Sequence, residues 1–297
     1  MNLKYVIDES STGKKMKHVL KYNLGLSERL IKKLKYDNKI TCNNIPVFVN
    51  HTVSAGDVIE VFIEFVEESE DVIPENIPID ILYEDDSIIA INKQPNIVVH
   101  PTSSHLSGTI ANAVMYHLQQ KGLHLKIRPV SRLDRDTSGI ILFAKNQFIQ
   151  ESLIRQMSDK TFYKEYIGVV TGIMKNQAGT IDLPIERKPG SIMLRQTSPS
   201  GSPSVTHYEV LEFLDDATYL KFHLETGRTH QIRVHCQAIR HPLVGDTLYS
   251  DIPSPYINRQ ALHSQRVSFI HPILKKQFEL YAPLPKDIST LLEILKK

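Results

Sequence analysis

The chain has 297 residues, of which 41% are hydrophobic and 23% are charged, a composition typical of a globular protein with a buried core. No run approaches the roughly 18 consecutive apolar residues that a membrane helix needs, and the N-terminus lacks the apolar core of a secretory signal. The two cysteines, Cys42 and Cys236, form neither a disulfide framework nor a CxxC metal pair. These features exclude membrane proteins and disulfide-stapled secreted domains. They predict a cytoplasmic protein with about one domain per 150 residues, hence about two.

The charges are segregated along the chain although the formal net charge is only +2. Residues 14–39 contain nine Lys or Arg and two acids, whereas residues 60–86 contain eleven Asp or Glu and no Lys or Arg. Such segregation predicts an anion-facing surface near the N-terminus, followed by an acidic, solvated connector. The alternative is that both runs are merely solvated faces.

The basic run has a helical pattern. Leu26, Leu30, Ile31 and Leu34 recur at helical spacing, and Ser27 is a suitable N-cap. The remaining positions carry cations that we expect to contact RNA phosphates: Arg29, Lys32, Lys33 and Lys35.

Short β-rich runs follow this helix and complete a resemblance. The segments LSERLIKKLKYDNKITCNN and VSAGDVIEV resemble the S4-type RNA-binding domain over about residues 12–65. Asn43-Asn44 stands where that family usually has Asn-Gly. Residues 66–80 are acidic, contain two prolines and are interpreted as a linker. We therefore predict a small S4-like α/β RNA-binding domain with the start of the linker over residues 1–72, and a catalytic domain over residues 73–297.

The segment RPVSRLDRDTSGIILFA contains the first chemical feature. Asp134 lies between Arg132 and Arg135 in a polar loop that leads into an apolar strand, Ile140 to Ala144. A loop on a rigid scaffold is where catalytic groups tend to lie, and the two arginines would favour the ionised carboxylate. A solvated surface turn explains this segment alone equally well.

The segment HLETGRTHQIRVHCQAIRHPLVGD places several donors around one turn. Leu220, Phe222 and Leu224 alternate as a half-buried strand, and Thr229 is a candidate cap for the helix that follows. The donors suit carboxylates or phosphates and comprise Arg228, His230, Arg233 and His235. We predict no metal site here, because there is no HExxH motif and Cys236 has no second Cys nearby.

A third segment, KTFYKEYIGVVTG, predicts an aromatic strand that contains Phe162, Tyr163 and Tyr166. Such residues usually form core, but a tyrosine can also support a base that has left its stack. The chain has no GxSxG, P-loop or GxGxxG motif, so we predict no nucleotide cofactor. Strands and helices alternate too irregularly for a doubly wound sheet, which favours an α+β fold.

Together these segments resemble the large-subunit ribosomal RNA pseudouridine synthase family. The resemblance covers nearly the whole chain and rests on several motifs in order: AINKQPNIVVHP, GTIANAV, RLDRDTSGIILFAK, YKEYIGVVTG, LETGRTHQIRVH, HPLVGDTLY, ALHSQRVSFIHP and YAPLP. It implies a catalytic domain with a mixed, largely antiparallel sheet and a central cleft. Ser131 stands where the family often has His, and Asn96 where Gly is common, which leaves local loop geometry and substrate choice open.

Carried over by position, the resemblance assigns four site residues. Asp134 matches the catalytic aspartate, Tyr166 the active-site tyrosine and Arg233 the arginine that pairs with the aspartate, for which we expect a bidentate pair. Arg132 matches the residue implicated in displacing the target base. The implied reaction cleaves the C1′–N1 bond of uridine, rotates the uracil and forms a C1′–C5 bond, without a metal or cofactor.

Alternatives remain at the level of the sequence. Asp134 could act as nucleophile on C1′ or as base at C2′. The resemblance favours large-subunit rRNA as partner, and the alternatives are the same chemistry on tRNA or a non-catalytic RNA-binding or ribosome-assembly protein. The sequence does not indicate the target uridine or the oligomeric state.

Overall fold

A computed structural model describes residues 1–63, 72–102 and 105–296. The helices are α1 (Met16–His18, which continues as a π-helical turn over Val19–Asn23), α2 (Glu28–Tyr36), α3 (Ile110–Gln120), α4 (Gln147–Ser158), α5 (Gln231–Ala238) and α6 (Lys286–Leu295). The strands are β1 (Asn2–Val6), β2 (Ile40–Cys42), β3 (Ile45–Pro46), β4 (Val58–Phe62), β5 (Asp80–Glu84), β6 (Ile88–Lys93), β7 (Arg128–Pro129), β8 (Ser138–Ala144), β9 (Tyr163–Thr171), β10 (Ala178–Asp182), β11 (Ile185–Arg187), β12 (Arg195–Thr197), β13 (Val205–Phe213), β14 (Ala217–Leu224), β15 (Leu262–Ile270) and β16 (Gln277–Tyr281). Within the described ranges, none of the helices combines the length and apolar character needed to cross a bilayer.

The N-terminal part is a four-stranded antiparallel sheet in the order β1-β4-β2-β3, covered by α1 and α2. The Ser27 hydroxyl accepts a hydrogen bond from the Leu30 amide at 3.1 Å, so the predicted N-cap of α2 is correct. Asn43 and Asn44 have φ values of 51° and 65° and join β2 to β3. Two consecutive positive φ values are those of a type I′ hairpin turn, which Asn tolerates, and this explains the missing Gly.

The second sheet combines most of the remaining strands in the order β10-β13-β14-β9-β15-β8-β6-β5, with β16 beside β15 and β7 beside β8. Among the described pairs, β8 runs parallel to β15 and the others are antiparallel. The predicted α+β class with a mixed, largely antiparallel sheet is confirmed.

Strand β8 lies at the centre of the fold and is buried on both faces. Ile140 and Leu142 belong to a cluster with α4, whereas Ile141 and Phe143 point to the other face and pack against α3. Because successive side chains of a strand alternate between faces, a continuous apolar run is what a strand covered on both sides requires. The loop that contains Asp134 therefore leads into a strand whose every residue is buried.

The N-terminal sheet and the second sheet share one apolar core. A single cluster of buried residues includes Leu20, Leu30 and Val61 of the first part with Ile88 and Phe148 of the second. The Arg155 guanidinium also donates a hydrogen bond to the Gly25 carbonyl at 2.7 Å. The division into domains at residue 72 stays a prediction, but the contact between the two parts is extensive.

The predicted acidic linker lies partly outside the described residues, which omit 64–71. Its described part, residues 72–80, is largely at the surface, but it is also attached to the second sheet's core. Val72 is buried among residues of β6 and α3, the Ile73 carbonyl accepts a hydrogen bond from the Asn112 side chain at 2.7 Å, and the Glu75 carboxylate accepts one from the Gly108 amide. These contacts attach the segment to α3 and the residues just before it. They involve apolar side chains and backbone groups, which a count of charges cannot predict.

Glu84 of β5 connects its strand to β8 and α3 through a half-buried carboxylate. It accepts hydrogen bonds from Lys145 at the end of β8 at 2.9 Å, from Lys121 at 2.6 Å and from the His117 ring at 2.8 Å. Burial opposes ionisation of Glu84, but the hydrogen bonds from these three partners outweigh it and lower the pKa to about 2.

We expect Glu84→Gln to destabilise the protein by up to about 3 kcal/mol at pH 7, because Lys145 would lose its anionic partner. The folded pKa lies below the unfolded value near 4.5, so this contribution is complete above that value and is lost as pH falls toward about 2. Urea unfolding of both proteins at pH 7 and pH 3 measures the difference.

Glu212→Gln is the matched control. Its carboxylate pairs with Lys296 at 2.8 Å and is 42% exposed, so we expect a change below about 1 kcal/mol. A Glu84→Gln effect that is no larger, or that does not shrink at low pH, would contradict the prediction.

Candidate active site

Asp134 lies in a tight turn immediately before β8. The Thr137 amide donates to the Asp134 carbonyl at 3.2 Å, and the Asp134 side chain keeps 24% of its surface exposed. Two residues after the turn, Gly139 has a φ of 107°, and a Cβ atom there would meet the Ser264 carbonyl oxygen at 2.2 Å. Only glycine therefore lets β8 lie this close to β15, and this close approach determines the position of the Asp134 turn.

Three buried side chains hold the turn through consecutive residues. Lys93 Nζ donates to the Arg135 carbonyl at 2.7 Å, and Arg259 Nη1 donates to the Asp136 carbonyl at 3.0 Å. Gln260 Nε2 donates to the Thr137 hydroxyl at 3.1 Å. A catalytic turn needs such fixation, because small errors in geometry cost large factors in rate.

Lys93 and Arg259 are functional supports that sequence reasoning missed. Lys93 also donates to the Gln94 and Ile97 carbonyls, and burial lowers its pKa to about 7. Arg259 forms a bidentate pair with Asp287 at the start of α6. For Lys93, the sequence feature that could have indicated this role is its place as the lone cation at the end of the apolar strand IIAINK.

Arg233 projects from α5 toward Asp134, but the predicted bidentate pair between them is wrong. Its Nε and Nη2 atoms each lie 2.7 Å from an oxygen of Asp246, and its Nη1 atom donates to Asp134 Oδ2 at 3.3 Å. Asp246 therefore receives the two parallel bonds of the guanidinium's Nε and Nη2 atoms, and Asp134 receives a single, longer bond from Nη1.

Asp246 is the main partner of Arg233, and sequence reasoning did not identify it. Its side chain is fully buried and that of Arg233 is 5% exposed. Burial alone would lower the pKa of Arg233. Its hydrogen bonds and charge interaction with Asp246 oppose burial, and the pKa of Arg233 is raised above its ordinary value. Gly245 precedes Asp246 with a φ of 74°, and a Cβ there would meet the Arg259 carbonyl oxygen at 2.3 Å. The sequence feature that could have indicated this buried carboxylate is the Gly-Asp pair after the apolar residues of HPLVGD.

The arginines that flank Asp134 in sequence have other partners. Arg135 forms a bidentate pair with Asp136, and Arg132 Nη2 donates to the Thr229 hydroxyl at 3.0 Å. The expectation that they favour the ionised Asp134 is not supported by these contacts. Side chains in a turn point in different directions, so the closeness of these arginines to Asp134 in sequence does not bring their guanidinium groups to its carboxylate.

Thr229 does not cap α5, contrary to expectation. The N-cap is His230, which has a left-handed conformation with φ 58° and ψ 20°. The hydroxyl of Thr229 instead accepts the hydrogen bond from Arg132, which links the loop before β8 to the loop before α5. The candidate residues Arg132, Asp134 and Arg233 thus lie in one place.

Tyr166 lies on β9 opposite Phe222 of β14, in a buried cluster that includes Ile232 of α5 and against which the partly buried Leu133 packs. Burial raises the pKa of Tyr166, and the charge of Asp134 adds to the effect. The phenol therefore stays protonated beside Asp134. Tyr166 is at once a core residue and a wall of the site.

The four predicted RNA-binding cations lie on α2, which packs in the core shared with the N-terminal sheet. Arg29, Lys32 and Lys35 are exposed, and Lys33 is partly buried. They form a surface separate from the Asp134 turn. Their role stays a prediction.

One group of possible metal ligands occurs within the described residues, in the N-terminal sheet. Cys42, His51 and Asp57 have ligand atoms within 4.8 Å of one another. Burial raises the pKa of the Cys42 thiol, which disfavours the thiolate that metals bind, and Asp57 accepts hydrogen bonds from Asn43 and the Ser54 amide. The expectation that the protein uses no metal or cofactor stays a prediction.

Comparison with known proteins identifies the family. The sequence profile described as RNA pseudouridylate synthase matches residues 87–238. An uncharacterized RNA pseudouridine synthase of Bacillus subtilis, YjbO, is 43% identical over 273 residues, which cover 91% of this chain and 95% of that protein. The chain belongs to the RNA pseudouridylate synthase family.

Two further proteins agree with this result. The ribosomal large subunit pseudouridine synthase D of Haemophilus influenzae is 41% identical over 276 residues, covering 89% of this chain and 83% of that protein. The solved structure of human RNA pseudouridylate synthase domain containing 4 has a similar fold, with a TM-score of 0.60 at 22% identity, and covers 73% of this chain and 92% of that one. The predicted family and the predicted enzyme class, an RNA pseudouridine synthase, are confirmed, and the S4 resemblance stays a prediction.

We expect Asp246→Asn to destabilise the protein by roughly 3 kcal/mol, because the buried Arg233 would lose its anionic partner and would face an amide NH2 group in place of one of the two accepting oxygens. Chemical unfolding at pH 7 measures the change.

Asp136→Asn is the matched control. It removes a carboxylate that is 22% exposed and pairs with the exposed Arg135, so the change should stay within about 1 kcal/mol. Equal stability of wild type and Asp246→Asn would mean that the Arg233–Asp246 pair does not form.

Proposed function

We propose that the protein isomerises uridine to pseudouridine in large-subunit rRNA and that Asp134 is the reactive carboxylate. The observation that carries the proposal is the environment of Asp134. One of its oxygens contacts the buried Arg233 guanidinium, the other faces His230, and Tyr166 adjoins it. A partly exposed carboxylate in a fixed position is what a reaction at C1′ of a bound uridine requires.

The residues around Asp134 suit the successive demands of the reaction. The target uridine must leave its stack, because C1′ and C5 are not both reachable in a duplex. Arg132, exposed at the entrance and bound to Thr229, is suited to occupy the space that the base vacates. Tyr166 would support the detached uracil, and its protonated hydroxyl can donate a hydrogen bond.

The bonds exchanged are few. The C1′–N1 bond breaks, the uracil rotates and C5 bonds to C1′; the hydrogen at C5 then leaves as a proton while N1 gains one. Asp134 either attacks C1′ and is later displaced by C5, or removes a proton at C2′ and later returns it. Both routes need the carboxylate that Arg233 orients.

Asp134→Asn should lower the rate of pseudouridine formation at least about 100-fold and leave RNA binding and folding nearly intact. The assay follows tritium release from RNA that contains [5-³H]uridine, because the C5 hydrogen is lost only on isomerisation. Asp136→Asn, in the same turn, is the matched control and should keep most of its activity. An Asp134→Asn protein with more than a few per cent of the wild-type rate would contradict the assignment.

The RNA class is proposed from the relatives. Several proteins about 40% identical to this chain carry the name ribosomal large subunit pseudouridine synthase D, which favours large-subunit rRNA over tRNA. The same assay on deproteinised large-subunit rRNA and on tRNA separates the two, with a faster reaction expected on the rRNA. Binding without tritium release from either would favour the non-catalytic alternative, and the cytoplasmic location stays a prediction.

We also propose that the exposed cations of α2 contact RNA phosphates. Each phosphate that a cation neutralises adds roughly 0.7–0.9 to the slope of log affinity against log salt. The triple variant Arg29→Gln, Lys32→Gln, Lys35→Gln should therefore bind more weakly and lower the slope by up to about 2.5. Its single-turnover rate at saturating RNA should stay within about tenfold of wild type, since only uniform binding is lost.

Charge substitution tests this surface better than deletion, because removing residues 1–63 would expose the shared core. The matched control replaces three exposed lysines near the C-terminus, Lys276, Lys286 and Lys296, with Gln. An equal fall in slope in the control would attribute the effect to net charge and contradict a specific contact.

A further inference from the structure

His230 has an unusual backbone conformation beside the candidate site. Its φ of 58° lies in the left-handed region, which residues other than glycine rarely adopt and which tends to occur at functional positions. Although His230 is the N-cap of α5, its side chain makes no capping hydrogen bond. The conformation instead directs the imidazole, which is 12% exposed, between Tyr249 and Asp134.

The hydrogen bonds around Tyr249 determine which nitrogen of His230 carries a proton. The Arg195 amide, at the start of β12, donates to the Tyr249 oxygen at 2.9 Å. The Tyr249 hydroxyl keeps its own hydrogen, and His230 Nδ1 lies 2.8 Å from that oxygen. With Arg195 already donating to the oxygen, a Tyr249 hydroxyl that donates to Nδ1 gives its hydrogen an acceptor, and we assign the bond in that direction. A neutral imidazole that accepts at Nδ1 carries its hydrogen on Nε2.

The other nitrogen of His230 faces the carboxylate. Nε2 lies 3.9 Å from Asp134 Oδ1, whereas Arg233 contacts Oδ2. We propose that His230 is a positioning residue for Asp134, whose Nε2–H orients Oδ1 while Arg233 orients Oδ2. This inference deepens the proposed function and rests on it. A shortening of about 1 Å makes the contact a hydrogen bond, and such contacts often tighten only when substrate binds.

Burial favours the neutral form of His230. The groups that face it are Asp134, Arg233, Arg195, Asp246 and Tyr249. Burial lowers the pKa of His230, and although the Asp134 carboxylate opposes this, the effect of burial prevails. Protonation would also place a hydrogen on Nδ1 where the Tyr249 hydroxyl now donates.

The tautomer can be read without any activity. Two-dimensional ¹H–¹⁵N spectra of the wild-type protein with ¹⁵N-labelled histidine, assigned with His230→Gln, should give the Nε2–H form of His230 at pH 7. In Tyr249→Phe the donor to Nδ1 is lost, so His230 should titrate closer to the ordinary value of about 6.5. An Nδ1–H tautomer in the wild type, or an imidazolium at pH 7, would overturn the inference.

The kinetic test uses single turnovers of the full chain at saturating RNA. His230→Ala should react about 10- to 100-fold more slowly with unchanged RNA affinity, and His230→Gln, whose amide can donate from a similar position, should recover most of the rate. Tyr249→Phe should move the acid limb of the pH–rate profile upward. The control His241→Ala removes a half-buried histidine whose Nδ1 contacts the Thr171 carbonyl, and it should match wild type.

The outcomes separate this inference from the proposed function. An active wild type with His230→Ala within about twofold of it would overturn the positioning role alone. A wild type inactive on every RNA would overturn the proposed function, and the spectra would still test the hydrogen-bond chain. If His230→Ala does not fold, His230→Gln and Tyr249→Phe decide: a His230→Gln rate far below wild type together with an unshifted Tyr249→Phe profile would overturn the inference.

Discussion

A guanidinium that is only 5% exposed must be paired, because an unpaired buried charge costs several kcal/mol. Asp246 satisfies two nitrogens of Arg233 from a fully buried position, and the third nitrogen is left for Asp134. The pair therefore presents one fixed N–H donor, on Nη1 of Arg233, to a carboxylate that keeps contact with solvent. The loop that contains Asp134 has to meet this donor with its own geometry fixed.

The turn that contains Asp134 meets this demand through its backbone. Lys93 and Arg259 are both buried cations, and both use their hydrogens on carbonyl groups of consecutive residues, Arg135 and Asp136. A backbone carbonyl oxygen has only a partial negative charge. These hydrogen bonds nevertheless satisfy the buried donors of Lys93 and Arg259 and fix the orientation of the backbone in the turn. Arg259 connects the same turn to Asp287 at the start of α6, so the C-terminal helix also contributes to the position of Asp134.

Helix α2 has an apolar face and a charged face. Leu30 and Leu34 of α2 are buried in the core shared with β6 and α4, whereas Arg29, Lys32 and Lys35 are exposed. The same helix therefore attaches the N-terminal part to the rest of the fold and keeps these three cations at the surface, which is what the proposed phosphate contacts require.

The sequence by itself determined the features that depend on local pattern: the Ser27 cap, the Asn43-Asn44 turn, the buried strand after Asp134 and the α+β class. Its ordered motifs also determined the family, because many short matches in sequence order are far more specific than one. Partners across the fold were decided only by tertiary structure. Arg132 and Arg135 flank Asp134 in sequence but donate their hydrogen bonds to Thr229 and Asp136, and Arg233 donates its two short bonds to Asp246. Periodicity reports burial and local conformation, whereas the pairing of buried charges depends on which distant segments meet, and no local pattern contains that information.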